Sequence, residues 1–257
     1  MLHQDHHFHY GYFLYAAAVI GYLDPPWLDQ GTNRDWVNML ARDFANSVSD
    51  DLYPFSRSFD WYHGHSWAQG LFASADGKDQ ESSSEDTMAC YGIKMWGKII
   101  NDKNMEARGN LMLAIQARTL PLYFLYQSSN TVEPAEFIGY KVSGILFENK
   151  IQHITYFGGL PEYIEGIHML PLMPHSPFIR SQTFVAEEWA AYDFSTYVNT
   201  AVGGWRGILM ANLAIIDPVT SYDFFSNASG DFTIDMLDSG ASQTWYLAFS
   251  AALGGSP

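Results

Sequence analysis

Apolar residues recur at helical spacing along most of this chain, and proline, glycine and asparagine punctuate the stretches. Apolar side chains three and four residues apart share one face of a helix, so this pattern predicts a packed, mainly helical protein. Proline cannot continue a helix, and glycine or asparagine commonly ends one. The predicted helices are Phe8 to Tyr22, a segment from Thr32 or Asn33 to about Val48, Ser82 to Ile100, Asn104 to Leu125, and segments near Ser181 to Ala201, Trp205 to Ile216 and Ser239 to Leu253.

One stretch in the middle of the chain departs from helical spacing. Residues Phe137 to Gly158 are rich in β-branched and aromatic side chains, and Glu148-Asn149-Lys150 has the composition of a turn. This pattern predicts a β-hairpin. Because no linker, low-complexity run or sequence repeat divides residues 1–257, we expect a single helical domain with an inserted hairpin.

The composition excludes some classes of partner. The formal net charge is −15, from 28 acidic and 13 basic residues, whereas nucleic acids and anionic membrane surfaces bind basic patches. Aromatic residues make up 16% of the chain, and many stand beside histidine, aspartate or glycine. Rings next to hydrogen-bonding groups suit a sugar, although most of these rings are expected to fill the core. A neutral polysaccharide is compatible with this composition, and neither nucleic acid nor a membrane is an expected partner.

Two features bear on the cellular compartment. The single cysteine, Cys90, excludes a disulfide within the chain, and we expect it to be buried in a helix. The apolar run from Leu14 to Leu23 is too short to span a bilayer and does not follow the basic start of a signal peptide. The sequence therefore predicts neither a membrane span nor a signal peptide in this chain, and it leaves the oligomeric state open.

Two carboxylates stand four residues apart at Glu81 and Glu85, with only serine between them. One interpretation is a capping box, in which Ser82 accepts from a free N–H at the start of a helix and Glu85 reaches back. The other interpretation is a pair of acid–base groups in a catalytic site. The local pattern favours the cap, so the rest of the chain has to decide.

A dense segment lies at the N-terminus, where Asp5 stands among His3, His6, His7 and His9. Imidazoles and a carboxylate are zinc ligands, but the spacing matches no standard helical pair, and the adjacent His6 and His7 point apart. In a second interpretation Asp5 is a proton donor, because burial among rings raises the pKa of a carboxyl group. A third is a disordered terminus, and the alternation with tyrosine and phenylalanine argues against it.

The loop SFDWYHGHSWAQG, residues 58–70, mixes aromatic rings with groups that hydrogen-bond hydroxyls. Asp60, Trp61, His63, His65 and Trp67 stand close together in it. A small-ligand site needs both kinds of group. The alternative is a loop that merely connects helices and satisfies its histidines internally.

Five segments together resemble glycoside hydrolase family 81, the endo-β-1,3-glucanases, and occur in the family's order. They are DHHFHYGY, SFDWYHGHSWA, ESSSED, NKIQHITYFG and PEYIEGIHMLPLMP. The resemblance implies hydrolysis of internal β-1,3-glucosidic bonds with inversion, on an (α/α)6 barrel that follows an N-terminal β-sandwich, with no metal or other cofactor. It also implies that Asp5 is the general acid and that Glu81 and Glu85 include the general base.

Physical chemistry agrees with this division of roles. Inverting hydrolysis needs a protonated carboxyl group at the leaving oxygen and an ionised carboxylate that holds a water molecule. A helix N-terminus keeps a carboxylate ionised, and Glu81 stands free before the helix if Ser82 is the cap, so we favour Glu81 over Glu85 as the base. The residues expected to bind the glucan are His9, Tyr10, Asp60, His63, His65, Trp67, Tyr156 and Glu162.

The first family motif, which opens at Asp5, stands only four residues after Met1. We therefore expect the chain to lack the family's β-sandwich and first barrel helices, and to form an incomplete (α/α)6 barrel, or toroid, with an inserted β-hairpin. A non-catalytic β-1,3-glucan-binding protein or inactive fragment is the alternative to an enzyme, and a metal-dependent hydrolase is a third class. The full-length protein is expected to be secreted or associated with the cell wall.

Overall fold

The computed structural model describes residues 5–70, 72, 76–228 and 230–256. They are mainly helical, with a few short antiparallel strands, as the sequence predicts. The chain divides into two compact units, residues 1–120 with 146–150 and residues 121–145 with 151–257. The single-domain organisation stays a prediction.

The first unit contains the segments that carry the candidate acids. Its elements are α1 (His6–Leu23), a 3₁₀ helix (Pro25–Asp29), α2 (Asn33–Ala45), β1 (Phe59–Asp60), β2 (His65–Ser66), β3 (Asp79–Gln80), α3 (Ser83–Ile99), α4 (Lys103–Tyr123) and β4 (Ile145–Phe147). The last three residues of α4 and the first residue of β4 belong to the second unit.

The start of α3 confirms the predicted helix cap. Ser82 is the N-cap residue, and its Oγ accepts from the backbone N–H of Glu85 at 3.2 Å. This contact satisfies one of the N–H groups that have no partner in the first turn. Cys90 is buried within α3, as expected. The other predicted helices of this unit also form, although α2 ends at Ala45 and not near Val48.

The core of the first unit lies between α1, α2, α3 and α4. Its buried members include Leu14, Val37, Ile93, Trp96 and Met112. The indole N–H of Trp96 donates to Asn38 Oδ1 at 2.9 Å, which satisfies the polar edge of this buried ring.

Two glycines let α1 and α3 approach closely. A Cβ on Gly11 would stand 2.8 Å from Ala89 Cα, and one on Gly92 would stand 2.9 Å from the Gly11 carbonyl oxygen. Further along, Gly21 faces Ile99. Contacts therefore advance in the same direction on both helices, so α1 and α3 are parallel and their N-termini meet.

The short strands of this unit frame the aromatic loop. β1 and β2 pair antiparallel, with Phe59 opposite Ser66 and Asp60 opposite His65. Gly64 turns the chain between them at φ +78°, a conformation that favours glycine. β3 and β4 also pair antiparallel.

The predicted hairpin is shorter than the sequence suggests. β4 and β5 flank the predicted turn, and the Phe147 N–H donates to the Lys150 carbonyl at 2.8 Å. The expectation of a strand from Phe137 is wrong, because Ala135–Ile138 forms a helical turn after Pro134. Proline has its φ angle fixed near the helical value and commonly precedes or opens a helix.

The second unit is mainly helical and contains the two-residue strand β5. Its elements are α5 (Ala135–Ile138), β5 (Ile151–Gln152), α6 (Pro161–Gly166), α7 (Ser176–Ile179), α8 (Gln182–Ala191), α9 (Phe194–Tyr197), α10 (Gly204–Leu213), α11 (Pro218–Phe225), a 3₁₀ helix (Ile234–Met236) and α12 (Gln243–Ala252). The helix predicted over 181–201 is broken, because Asp193 takes a left-handed conformation at φ 46°. α11 was not predicted from the sequence, although Asp217 caps it by accepting from the Thr220 N–H at 3.0 Å.

A buried ionic cluster in the second unit explains an acidic residue in α6. Glu165 is fully buried, and burial, together with the charge of Glu188, raises its pKa well above the usual range. The Arg180 guanidinium donates to the Glu188 carboxylate and, through Nε, to Asn212 Oδ1 at 3.1 Å. Glu165 is therefore held in the protonated form, and the arginine compensates Glu188.

No helix among the described residues is both long and apolar enough to cross a membrane.

Candidate active site

The three candidate acids lie at the meeting N-termini of α1 and α3. Asp5 immediately precedes α1, Glu81 follows β3, and Glu85 is in the first turn of α3. Asp5 has a left-handed backbone with φ 56° and ψ 24°. Outside glycine this conformation costs free energy and is concentrated at functional sites. The parallel packing of the two helices thus brings together residues that are far apart in the sequence.

The peptide groups of Ala68 join the Asp5 segment to β3. The backbone N–H of Asp5 donates to the Ala68 carbonyl at 2.9 Å, and the Ala68 N–H donates to the Asp79 carbonyl at 2.7 Å. Asp79 is two residues before Glu81. The general-acid segment and the glutamate segment are therefore held to the same residue of the aromatic loop.

The electrostatics of Glu85 show that the three carboxylates share one environment. Its pKa is raised to about 7, mainly by burial, and the negative charges of Asp5 and Glu81 act in the same direction. Hydrogen bonds act in the opposite direction, including one from the Tyr12 hydroxyl to Glu85 Oε1 at 3.0 Å. Near neutral pH, Glu85 is consequently divided between its protonated and ionised forms.

Asp5 has the electrostatic character of a group that must carry a proton. Burial raises its pKa, and the charge of Asp79 acts in the same direction, whereas His9 and His6 oppose the shift. The sequence analysis expected this direction from the surrounding rings. A raised pKa keeps the carboxyl group protonated to a higher pH, as a general acid requires.

The N-terminal histidines have separate partners. His6 Nδ1 lies 2.8 Å from Asp43 Oδ1 and 3.0 Å from an Arg57 nitrogen, while His7 Nε2 lies 3.1 Å from Gln80 Nε2. His3 is outside the described residues. Within residues 5–70, 72, 76–228 and 230–256, no group of three or more His, Cys, Asp or Glu is arranged to hold a metal ion.

Asp60 organises the aromatic loop. It lies 2.7 Å from His63 Nδ1 and accepts from the Trp67 indole N–H at 3.1 Å. Burial acts to raise the pKa of Asp60, but these contacts and the N–H groups of Tyr62 and His63 hold it well below the usual range. Asp60 is therefore an ionised acceptor that fixes the loop.

His65 and Trp67 are interior parts of this loop. They are 1% and 3% exposed, and their ring centroids are 4.6 Å apart. Burial lowers the pKa of His65 to about 4. In this structure they support the loop from inside, and direct contact of either ring with a glucan stays a prediction.

A cavity of about 290 Å³ opens beside the loop. Its lining residues include Phe55, Ser56, Asp60, Trp61 and Trp67. Trp61 is 37% exposed and Phe55 is 50% exposed, so their rings are available for stacking. The sequence analysis did not select these two or Tyr12, although Trp61 is part of the aromatic motif.

The remaining candidates for glucan binding lie in both units. His9 is exposed on α1, and the Tyr10 ring centroid lies 4.7 Å from that of His6. In the second unit, Tyr156 is exposed. Glu162 is buried in α6 and accepts a hydrogen bond from the Tyr197 hydroxyl. Their roles in binding stay predictions.

The family model described as the glycosyl hydrolase family 81 C-terminal domain matches residues 1–247. The chain belongs to glycoside hydrolase family 81. This membership agrees with the motifs that carry Asp5, Asp60 and the Glu81–Glu85 pair.

Three similar proteins place the chain within this family. A glucan endo-1,3-beta-D-glucosidase of Arthroderma benhamiae is 61% identical over 254 residues, 97% of this chain and 28% of that protein. The primary septum glucan endo-1,3-beta-D-glucosidase of Schizosaccharomyces pombe is 52% identical over 252 residues, 98% of this chain and 24% of that protein. A solved structure of a mutant family 81 glycoside hydrolase from Clostridium thermocellum is 26% identical, with a TM-score of 0.84, and covers 98% of this chain and 34% of that one. The chain thus spans about a quarter to a third of the length of these relatives.

Proposed function

We propose that this chain carries the catalytic carboxylates of an endo-β-1,3-glucanase that hydrolyses its substrate with inversion. One observation carries the proposal: α1 and α3 pack in parallel at Gly11 and Gly92, so Asp5 at the start of α1 and the Glu81–Glu85 pair at the start of α3 lie at the same end. An acid and a base on the two sides of a glycosidic bond must lie close together.

The three acids take different roles in this mechanism. Asp5, whose pKa burial raises, delivers a proton to the leaving glycosidic oxygen. Glu81, placed just before the N-terminus of α3, holds and deprotonates the attacking water, because the helix end favours its ionised form. Glu85 has a pKa of about 7 and is a poor permanent base in mildly acidic conditions, so it orients the water or the sugar.

The aromatic loop supplies the proposed binding surface for the glucan. The ionised Asp60 holds the loop in shape, and the exposed Trp61 and Phe55 stack on the apolar faces of pyranose rings. The relatives named above are glucan endo-1,3-beta-D-glucosidases, which favours β-1,3-glucan as the substrate. Carboxyl groups and water suffice for this chemistry, so the mechanism needs no metal or other cofactor.

We also propose an architecture and a location. The helices correspond to part of the family's (α/α)6 barrel, which is supported by the TM-score of 0.84 to a family 81 structure. The relative from Schizosaccharomyces pombe is named for the primary septum. We infer that the longer protein is secreted or associated with the cell wall.

Variants of the two acids test the proposal. The release of reducing ends from soluble β-1,3-glucan is measured for the unmodified chain and for Asp5→Asn and Glu81→Gln. Each substitution is expected to lower kcat by about 10²- to 10⁴-fold, because it removes a proton-transfer group. Binding of laminarioligosaccharides is expected to persist, and EDTA is expected to have no effect.

The matched control is Asp35→Asn. Asp35 is an exposed carboxylate in the first turn of α2, so this change is expected to leave kcat unchanged. Full activity in Asp5→Asn or Glu81→Gln contradicts the assigned roles. Binding without hydrolysis by the unmodified chain supports the glucan-binding alternative, and inhibition by EDTA supports the metal-dependent one.

A further inference from the structure

A layer of buried polar side chains lies behind the candidate acids. His7 is two residues after Asp5, Gln80 is one residue before Glu81, and Asp86 is one residue after Glu85. All three side chains of this polar layer, His7, Gln80 and Asp86, have no solvent exposure. Each candidate acid therefore has a buried polar neighbour in its own chain segment.

Gln80 connects the Asp5 segment to the Glu81 segment. Its Nε2 lies 3.1 Å from His7 Nε2. Burial lowers the pKa of His7 to about 3, so the imidazole is neutral and its Nε2 accepts from the Gln80 amide. This side-chain contact joins α1 to β3 beside the backbone link through Ala68.

Asp86 connects the Glu85 segment to the aromatic loop. Its Oδ2 accepts from the backbone N–H of Ser66 at 2.8 Å. Ser66 is two residues before Ala68, whose carbonyl accepts from the Asp5 N–H. The start of α3 and the start of α1 are therefore anchored to one short stretch of the loop.

Stability alone does not account for these side chains. His7 Nδ1 and Gln80 Oε1 are buried and make no direct hydrogen bond to the described protein groups. The Asp86 carboxylate is fully buried, and hydrogen bonds from Ser66, Gln116 and Gln80 only partly offset the rise in its pKa that burial causes. A buried polar atom without a direct partner either costs free energy or recruits an internal water molecule. Apolar residues of similar volume would fill this space at least as well. Polar groups that break the rules of core packing mark functional positions.

We propose that Gln80 and Asp86 are positioning residues, which hold the Asp5 segment at a fixed separation from the Glu81 and Glu85 segments through contacts with His7 and Ser66. The inference rests on the proposed function, because that separation matters only for a reaction between the two sides. Inverting glycosidases need about 6.5–9.5 Å between acid and base. A displacement of about 1 Å at a catalytic group can lower the rate about a hundredfold.

Substitutions of both residues test this role. Gln80→Met keeps the side-chain volume and removes the amide, and Asp86→Ala removes the carboxylate. Asp86→Asn keeps an oxygen that accepts from the Ser66 N–H, so it is the conservative variant. The control is Asn38→Ala, which removes the partner of the buried Trp96 N–H in the same unit but away from the acids.

Kinetics and unfolding are measured together for the four variants. Gln80→Met and Asp86→Ala are expected to lower kcat about ten- to a hundredfold with little change in KM, and Asp86→Asn is expected to retain more activity than Asp86→Ala. The alkaline limb of the pH profile is expected to move to lower pH, because a displaced Asp5 is less buried and loses its proton earlier. Asn38→Ala is expected to lower the unfolding temperature and leave kcat and the pH profile unchanged.

The inference is overturned if Gln80→Met and Asp86→Ala behave like Asn38→Ala, with reduced stability but unchanged kcat and pH profile. Absence of hydrolysis by the unmodified chain counts against the proposed function. The positioning role of the polar layer can then still be measured without activity. In that case ¹³C NMR follows the carboxyl titrations of Asp5 and Glu85. If the carboxyl titrations of Asp5 and Glu85 shift in Gln80→Met, the positioning role of Gln80 is supported. If they are unchanged, that role is rejected.

Discussion

The protonation state of Glu85 separates the two glutamates of the ESSSE motif. Both stand at the start of α3. Glu85 accepts a hydrogen bond from the Tyr12 hydroxyl, and the negative charges of Asp5 and Glu81 disfavour its ionised form. Its pKa of about 7 lies above the ordinary value of 4.5. The capping and catalytic interpretations of this motif are thus compatible, because the cap uses the Ser82 hydroxyl and the backbone N–H of Glu85.

The raised pKa of Glu85 predicts a pH dependence of stability. Between pH 4.5 and about 7, folded Glu85 holds a proton that the unfolded chain has lost, so the free energy of unfolding decreases as pH rises through this window. Glu85→Gln cannot ionise and is expected to reduce this decrease. Thermal unfolding at several pH values from 4.5 to 7.5 measures the effect.

The control for this prediction is Glu136→Gln, at an exposed glutamate of α5. It is expected to leave the pH dependence of the unmodified chain in place. Equal pH dependence in Glu85→Gln and the unmodified chain would show that Glu85 titrates at its ordinary pKa.

The sequence predicted which residues form the candidate site better than it predicted the surroundings that set their pKa values. The motifs selected Asp5, Glu81 and Glu85, and an elevated pKa for Asp5 followed from its neighbouring rings. The raised pKa of Glu85 was not predictable, because it comes from burial and from the charge of Asp5, which is 80 positions away in the sequence. Residues distant in sequence make the environment, and spacing does not reveal them.

At the level of elements, the parallel crossing of α1 and α3 creates the site. The two helices touch through Gly11 and Gly92, where a side chain would collide with the facing backbone. Close approach of the axes brings their N-termini together and lets Tyr12 reach Glu85. The glycines are therefore expected to matter for both stability and activity.

Gly11→Ala tests this crossing. The new methyl group would stand 2.8 Å from Ala89 Cα, so α1 is expected to move away from α3 at a cost of about 1–3 kcal/mol in the free energy of unfolding. Because Asp5 moves with α1, glucan hydrolysis is expected to decrease more than folded content. Denaturant unfolding and initial rates measure the two effects.

Gly139→Ala is the matched change. Gly139 has φ −64°, and a Cβ there would meet no atom within 4 Å. This variant is expected to unfold and react like the unmodified chain. If Gly11→Ala also does so, the close crossing does not determine the geometry of the site.

Helical periodicity and the residues that start or stop helices predicted the long elements, and local backbone conformation decided where prediction failed. α1, α3 and α4 form close to the expected positions, because each is a long run bounded by residues that start or stop a helix, such as Ser82 before α3 and Pro25 after α1. The break at Asp193 depends on one left-handed residue inside an otherwise helical pattern. α11 carried a readable signal in Asp217-Pro218, a cap residue followed by proline at the first helical position.

On the scale of the whole molecule, the three candidate acids and the aromatic loop lie in the first unit. Asp5, Glu81, Glu85 and the aromatic loop belong to residues 1–120. The second unit has its own buried ionic cluster around Arg180 and Glu188. Family membership was predictable because several long, compositionally unusual motifs occur in order, whereas the division into two units has no marker in the sequence.

The anomeric form of the first product tests the central claim most directly. Soluble β-1,3-glucan is hydrolysed by the unmodified chain, and ¹H NMR follows the new reducing ends from the first minutes. If Asp5 and Glu81 act as acid and base across one water molecule, the α-anomer forms first and the β-anomer rises only through mutarotation. Initial release of the β-anomer, or no release at all, would contradict this account.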